Sequence, residues 1–500
     1  MSTAASRAWL GVALAGFAVA LLVLVLSLIP RLSAGQQVID AAEPAFADQR
    51  VSGTRAGVSL LSQYVDLADP LLTARGGGSQ DVRSLVRLIR RELGLSSAQV
   101  RKILRREAPH TEALMRALPL SGVADEVPRL TAYLATTLTV SEDELAATVE
   151  QDFPRIAQLL TTLPNVTDTW YDVPGIEGLT RVGLDKPVRT VPGLRKYLRD
   201  DVVPLTVEHK RDVQRLDGRG GIGYIPYLLL FGGLALFAYG LLQARRATVT
   251  APGRRSWTFV VATGALLVAL VAGGQYVPRL GGAQKLIADF EPVFAQERVN
   301  GLTIGWDTVH EAIVLGDPIM TPAGGAARET PRLYRLVAER TGRKHGEVRR
   351  ALRRRAPRTT ALLDALPLTA VAAEVPKLVA YLSRALDLRR AKLVARLRRR
   401  APALTQALLA APPVTTGWTA MPGTAELTRF DDVTPVRTMP ALDEYLRQDL
   451  ITLLDEQRAH FDRFASGQPP IQSLAPALLI LGLVVMLYGA VMMKLVGRRY

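Results

Sequence analysis

The chain has 500 residues, 48% hydrophobic and 22% charged, with 62 basic against 46 acidic residues and a formal net charge of +16. It has no cysteine, which excludes disulfides and thiolate metal sites. What remains to organise the chain is its apolar runs.

Residues 1–8 precede a first apolar run at 9–29, and others follow at 222–242, 257–277 and 474–495. Each is about 20 residues long, close to what a hydrocarbon core of about 30 Å requires of a helix. The first exceeds the apolar stretch of a secretory signal and no small-residue cleavage site follows it, so it reads as an uncleaved anchor. Four transmembrane helices are therefore predicted, in an integral, multi-pass membrane protein.

Residues 30–221 are predicted to be a mainly helical domain, with helices at 36–50 and 192–216 leading from and to the bilayer. Gly76, Gly77 and Gly78 read as loop. A period of 45 then sets in: Ser96, Val100, Pro109, Leu118 and Pro119 recur as Ser141, Leu145, Pro154, Leu163 and Pro164. Ser96 with Gln99, and Ser141 with Glu144, have capping-box spacing. Pro109 and Pro154 suit the first turn of a second helix, and the Leu-Pro pairs are expected to stop it. Neither hairpin buries its apolar stripe alone, so the two should stack. Period-two alternation is confined to 179–190, a candidate β-hairpin. Gly218, Gly220, Gly221 and Gly223 break the returning helix from its span.

Residues 243–256 carry Arg245, Arg246, Arg254 and Arg255 and no acid. Short loops dense in arginine resist translocation. All 46 acidic residues fall in 30–221, with 25, and 278–473, with 21. The flanks hold only Arg7, the connector arginines, Lys494, Arg498 and Arg499. Residues 1–8, 243–256 and 496–500 are thus expected in the cytoplasm and the bulk outside. Arginine in excess of lysine and abundant alanine hint at a GC-rich bacterial genome, and the expected location is a bacterial plasma membrane.

The second half repeats the first. Adding 248 carries Trp9 to Trp257, Pro30 to Pro278, Glu126 to Glu374, Trp170 to Trp418 and Arg181 to Arg429. One residue is inserted before the last run, where Gly233, Tyr239 and Gly240 answer to Gly482, Tyr488 and Gly489. The predicted fold class is mainly α: a tandem duplication with two homologous, mostly helical extracytoplasmic domains, 30–221 and 278–473. Two such units in parallel orientation are related by a pseudo-twofold along the membrane normal.

Candidate chemistry is sparse. His110, His209, His310, His345 and His460 are scattered, none maps onto another under the shift, and none pairs at metal-ligand spacing. No nucleophile elbow, phosphate-binding loop or dinucleotide fingerprint stands in a strand–helix context. Matched carboxylates (Glu43 with Glu291, Asp69 with Asp317) and matched Arg181, Arg189, Arg429 and Arg437 read as caps and structural pairs. The spans lack the buried acids and bases of an ion-coupled transporter. Gly11 with Ala15, Gly16 with Ala20, and Ala265, Ala269 and Gly273 have small-residue spacing for close packing. No enzyme, metal or cofactor is expected.

The halves differ in charge. Residues 30–221 hold 25 basic and 25 acidic residues, while 278–473 hold 29 against 21, a surplus of +8. The surplus sits in the predicted hairpin helices. Arginine forks match phosphate and carboxylate oxygens. Arg349, Arg350, Arg353, Arg354, Arg358, Arg398, Arg399 and Arg400 are therefore candidate anion-binding residues, for anionic lipid headgroups or cell-wall polymers. The bland alternative is a solvated helical face, and nucleic acid is a poor partner for an outward-facing domain. The functional expectation is a non-enzymatic envelope protein displaying two helical binding or scaffold domains, with the bilayer and other membrane proteins as partners. The alternative is a subunit of a transport or export complex energised by a partner.

Overall fold

The computed structural model describes residues 2–217, 221–247 and 253–497. Gly218, Gly220, residues 248–252 of the connector, and Arg498 and Arg499 lie outside them. The described residues are 83% helical and contain no strand. Compactness does not follow sequence order. One unit gathers Met1–Val51, Pro204–Val299 and Thr452–Tyr500; the other gathers Ser52–Val203 and Asn300–Ile451. Each unit draws on both halves of the sequence, so 30–221 and 278–473 are each divided between the two.

In the first unit four helices are long and apolar enough to cross a membrane: Ser6–Val25, Ile222–Arg246, Arg254–Gly273 and Ile471–Val496. The first and third end earlier than the apolar runs do, at Val25 and Gly273. Pro30 and Pro278 supply the reason. Proline has no N–H for the carbonyl four residues back, and its ring collides with that carbonyl. Ser27 and Gln275 accordingly turn left-handed, with φ of 49° and 50°. The helices restart as Leu28–Ala42 and Tyr276–Phe294.

Glycine lets these spans pair backbone to backbone. A Cβ on Gly16 would meet Phe237 N at 2.5 Å, and one on Gly264 would meet Met486 N at 2.5 Å. Between helices in lipid, such dispersion contact replaces the missing hydrophobic drive. The stripe expected through Ala265, Ala269 and Gly273 is not used this way. Gly273 faces open space, and the close-packed face of that helix runs through Gly264. The two span pairs meet at Trp9 and Trp257, both fully buried and stacked with centroids 3.9 Å apart. Tyr239 donates to the Ser256 carbonyl (3.2 Å) and Tyr488 to that of Ala8 (3.0 Å). Beyond the spans, buried Arg31 is satisfied by the carbonyls of Phe464 (3.1 Å) and Pro469 (2.7 Å).

The second unit holds the helical hairpins at the expected period. They are Ser97–Glu107 with Pro109–Ala117, Glu142–Asp152 with Pro154–Thr169, His345–Arg355 with Pro357–Ala365, and Arg390–Arg400 with Pro402–Thr419. Ser96 forms its capping box with Gln99, and the Ser141 hydroxyl accepts from the Glu144 amide. Pro164, expected to stop its helix, does not: the helix runs on to Thr169. Leu163 and Val166, either side of it, are both wholly buried, and continuing that buried face outweighs one lost hydrogen bond.

Stacking also differs from the expectation. Helix Pro109–Ala117 packs on Pro357–Ala365, and helix Gly78–Leu93 packs on Arg390–Arg400 and Pro402–Thr419, so the hairpins find partners across the halves. The glycines read as loop are packing sites: a Cβ on Gly76 would collide with the Asp69 carbonyl, and one on Gly78 with that of Pro70. The candidate β-hairpin shrinks to one bridge in each half, Thr180 with Pro187 and Thr428 with Pro435, because proline cannot donate to extend a ladder.

Candidate functional site

A helix begins with amides that have no intrahelical partner and carry partial positive charge. At four helices of the second unit carboxylates take them, and each comes from the opposite half. Glu374 accepts the amides of His110 (3.1 Å) and Thr111 (2.8 Å), the Thr111 hydroxyl (2.9 Å), and stands 2.7 Å from His110 Nδ1. Glu126 answers by accepting the amides of Arg358 (3.0 Å) and Thr359 (2.9 Å) and the Thr359 hydroxyl (3.0 Å). A second pair repeats the arrangement. Glu329 takes the amides of Arg155 and Ile156 (3.0 and 2.9 Å), and Asp81 takes that of Leu404 (3.0 Å). Burial alone would raise the Glu374 carboxyl, but the bonds from Thr111 and His110 outweigh it and hold it below its ordinary value. A carboxylate so engaged is a clasp, with no oxygen free to act as a general base.

Other matched groups are likewise structural. Each half carries a π-helical turn, Tyr197–Val202 and Tyr445–Ile451. From these turns Asp201 receives two 2.6 Å bonds from Arg181, and Asp449 receives a 2.7 Å bond from Arg429. Asp69 accepts from Trp170 and Tyr171 (2.8 and 2.6 Å), and Asp317 from Trp418 and Arg155 (3.3 and 3.2 Å). His310 stands 2.5 Å from Asp443, which also accepts from the Trp306 indole at 2.9 Å.

The candidate anion-binding arginines fall into three situations. Arg349 and Arg353 converge on Asp364, at 2.5 and 3.0 Å, so much of their charge is already answered. Arg358 lends its amide to the Glu126 clasp, and its guanidinium lies so close to Gly122 that a Cβ there would collide with it. Arg350 is exposed and donates from Nε to the Gly346 carbonyl at 3.2 Å. Arg354, Arg398, Arg399 and Arg400 are exposed with no acidic partner among the described residues. They sit in the last turns of His345–Arg355 and Arg390–Arg400, where cations complement the carbonyl end of the helix. Arg396, one turn earlier, is tied to Glu92 at 2.5 Å.

Within the first unit, an apolar cleft of about 610 Å³ opens between the span pairs, lined by Ala15, Val19, Leu236, Thr263, Leu270 and Val485 among others. No acid or base stronger than tyrosine lines it. Among the described residues, one group has the makings of a metal centre: Glu208, His209 and Asp289. Sequence spacing gave no sign of it, because Asp289 comes from the other half of the chain. No protein-family model, curated protein or solved structure matches this chain.

Proposed function

We propose that the protein is a non-enzymatic membrane scaffold of the bacterial envelope, built by tandem duplication, that presents a helical body outside the cell for binding. Supporting the duplication are helix bounds that recur after a shift of 248: 97 and 107 become 345 and 355 in Ser97–Glu107 and His345–Arg355. The observation that carries the scaffold reading is the set of reciprocal clasps. Buried Glu126, Glu374, Thr111 and Thr359 of the second unit are committed to holding the two halves together, which leaves exposed helix ends as the places where ligands are met. Arginine in the connector supports cytoplasmic termini with the helical bulk outside.

In this reading Arg354, Arg398, Arg399 and Arg400 meet anionic headgroups or wall polymers. They are exposed and without an acidic partner among the described residues, and guanidinium forks suit such oxygens. The test uses the full-length chain in detergent with anionic vesicles. Salt-sensitive co-sedimentation that falls when Arg398→Glu, Arg399→Gln and Arg400→Asp are combined supports it; equal binding of both proteins refutes it. Reporter fusions at residue 250 test orientation, and an extracytoplasmic signal there overturns it. The second reading, a transport subunit energised by a partner, draws on the acid-free cleft between the span pairs. Recovery of an ATPase with the protein from native membranes favours that alternative.

A further inference from the structure

His209 is fully buried, yet neither ring nitrogen makes a hydrogen bond. A buried imidazole whose nitrogens lack hydrogen bonds is costly. Around it stand carboxylates. Asp289 Oδ2 lies 2.9 Å from Nε2, and Asp212 Oδ2 lies 3.5 Å from Nδ1. Glu208, Asp289 and His209 each offer one ligand atom, and those atoms all lie within 4.8 Å of one another. Phe290 closes one side, its ring 5.5 Å from the imidazole.

We infer that Glu208, His209 and Asp289 bind a divalent transition-metal ion of the zinc type, through His209 Nε2 and the two carboxylates. Zinc bonds to nitrogen and oxygen run about 2.0–2.2 Å, which in a tetrahedral site puts neighbouring ligand atoms about 3.3–3.6 Å apart. The 2.9 Å between Nε2 and Oδ2 lacks hydrogen-bond direction, and these two atoms need only draw slightly apart to admit the ion. One imidazole with two carboxylates is a borderline donor set that suits zinc better than calcium or magnesium. Asp212, 3.5 Å from Nδ1, is the positioning residue: closing to hydrogen-bond distance when the ion binds, it would accept the Nδ1 proton and fix the tautomer, as outer carboxylates do for metal-bound histidine.

Lys285 is the resident competitor. Its ammonium is 2.8 Å from Glu208, and its pKa is raised first by that hydrogen bond and then by the charges of Glu208, Asp289 and Asp212. It holds the place a cation would take and must swing aside. Arg215, 3.7 Å from Asp212, answers the outer carboxylate and leaves the inner pair to the ion.

The other half supplies an internal control. Under the shift, 209 + 248 gives Gln457, 289 − 248 gives Ala41 and 285 − 248 gives Gln37. Glu208 is kept as Glu456, but the histidine, the second carboxylate and the competing lysine are absent from the matched place, and one site per chain is expected.

The experiment uses the full-length chain in detergent, carrying no polyhistidine tag and stripped with chelator. Zinc is titrated calorimetrically, and cobalt is substituted to read its visible absorption. The wild type should bind one zinc ion per chain and show a cobalt band. H209Q and D289A, which install the residues of the other half, should lose both. D212N should weaken zinc about tenfold or more, while K285M should tighten it. Should H209Q fail to fold, D289A, on a half-exposed edge, still decides. No stoichiometric zinc on the wild type, or affinity unchanged in D289A, overturns the assignment.

Discussion

Residues 78–169 and 326–419 carry out the same structural task with different surfaces. Both supply a carboxylate to the other's helix N-termini, Glu126 for Thr359 and Glu374 for Thr111. Both bury the residues around those clasps. At the exposed helix ends the likeness stops: Glu150, Gln151 and Asp152 in one half stand where Arg398, Arg399 and Arg400 stand in the other. The difference separates two demands on the sequence. Buried amides must find acceptors, so the clasp positions keep a carboxylate, Glu126 with Glu374 and Asp81 with Glu329. A solvated last turn has no such constraint, and there the halves have diverged in charge by whole units.

The largest effect should come from breaking a clasp. Glu126→Ala or Glu374→Ala strands one buried amide, one half-buried amide and a buried hydroxyl. Each should cost about 3–5 kcal/mol, read from denaturant unfolding in detergent. The two should cost similar amounts, and a large inequality would show that the halves are held unequally.

Next in size are the spans. Gly16→Leu and Gly264→Leu drive a side chain into backbone at 2.5 Å, and each should lower stability by about 1–3 kcal/mol. Similar losses are expected, since each glycine plays the same part in its own span pair. A loss at one site only would show that the two pairs are not equivalent.

A smaller, pH-dependent effect belongs to Glu374. Its folded pKa is depressed by the bonds from Thr111 and His110, which overcome the opposing effect of burial. A depressed carboxyl contributes stability that is present above its unfolded pKa, near 4.3, and is lost as pH falls through the folded value. Unfolding measured from pH 7 downward should therefore show a loss beginning below about pH 5, and Glu374→Gln should remove that part of the slope.

The smallest effect on stability should come from the exposed arginines. Exchanging Arg398, Arg399 and Arg400 for the residues of the first half should change unfolding by no more than about 0.5 kcal/mol. The same exchange should clearly reduce vesicle binding at low salt. A large stability change would show that the helix ends are structural after all.

Much of this was legible in the sequence, for local reasons. The caps at Ser96 and Ser141, the first-turn prolines and the four apolar helices follow from side chains acting on their own backbone. Pro164 misled because tertiary burial of Leu163 and Val166 overrode a local rule. The cross-half packing was hidden for a different reason. Glu126 could take the amides at 110 and 111 or those at 358 and 359; a repeated sequence offers both choices with nearly the same chemistry, and only chain geometry decides between them. His209 and Asp289 escaped notice because neither has its counterpart in the other half, so comparing the halves could not single them out.

The central claim is that the two halves are interlocked, each capping the helices of the other. It is tested most directly by dividing the chain within residues 248–252 and co-expressing the fragments with different tags. The account predicts that the fragments co-purify through detergent as a one-to-one complex, and that Glu126→Ala combined with Glu374→Ala weakens their association. Fragments that separate and are each folded and monomeric would contradict it.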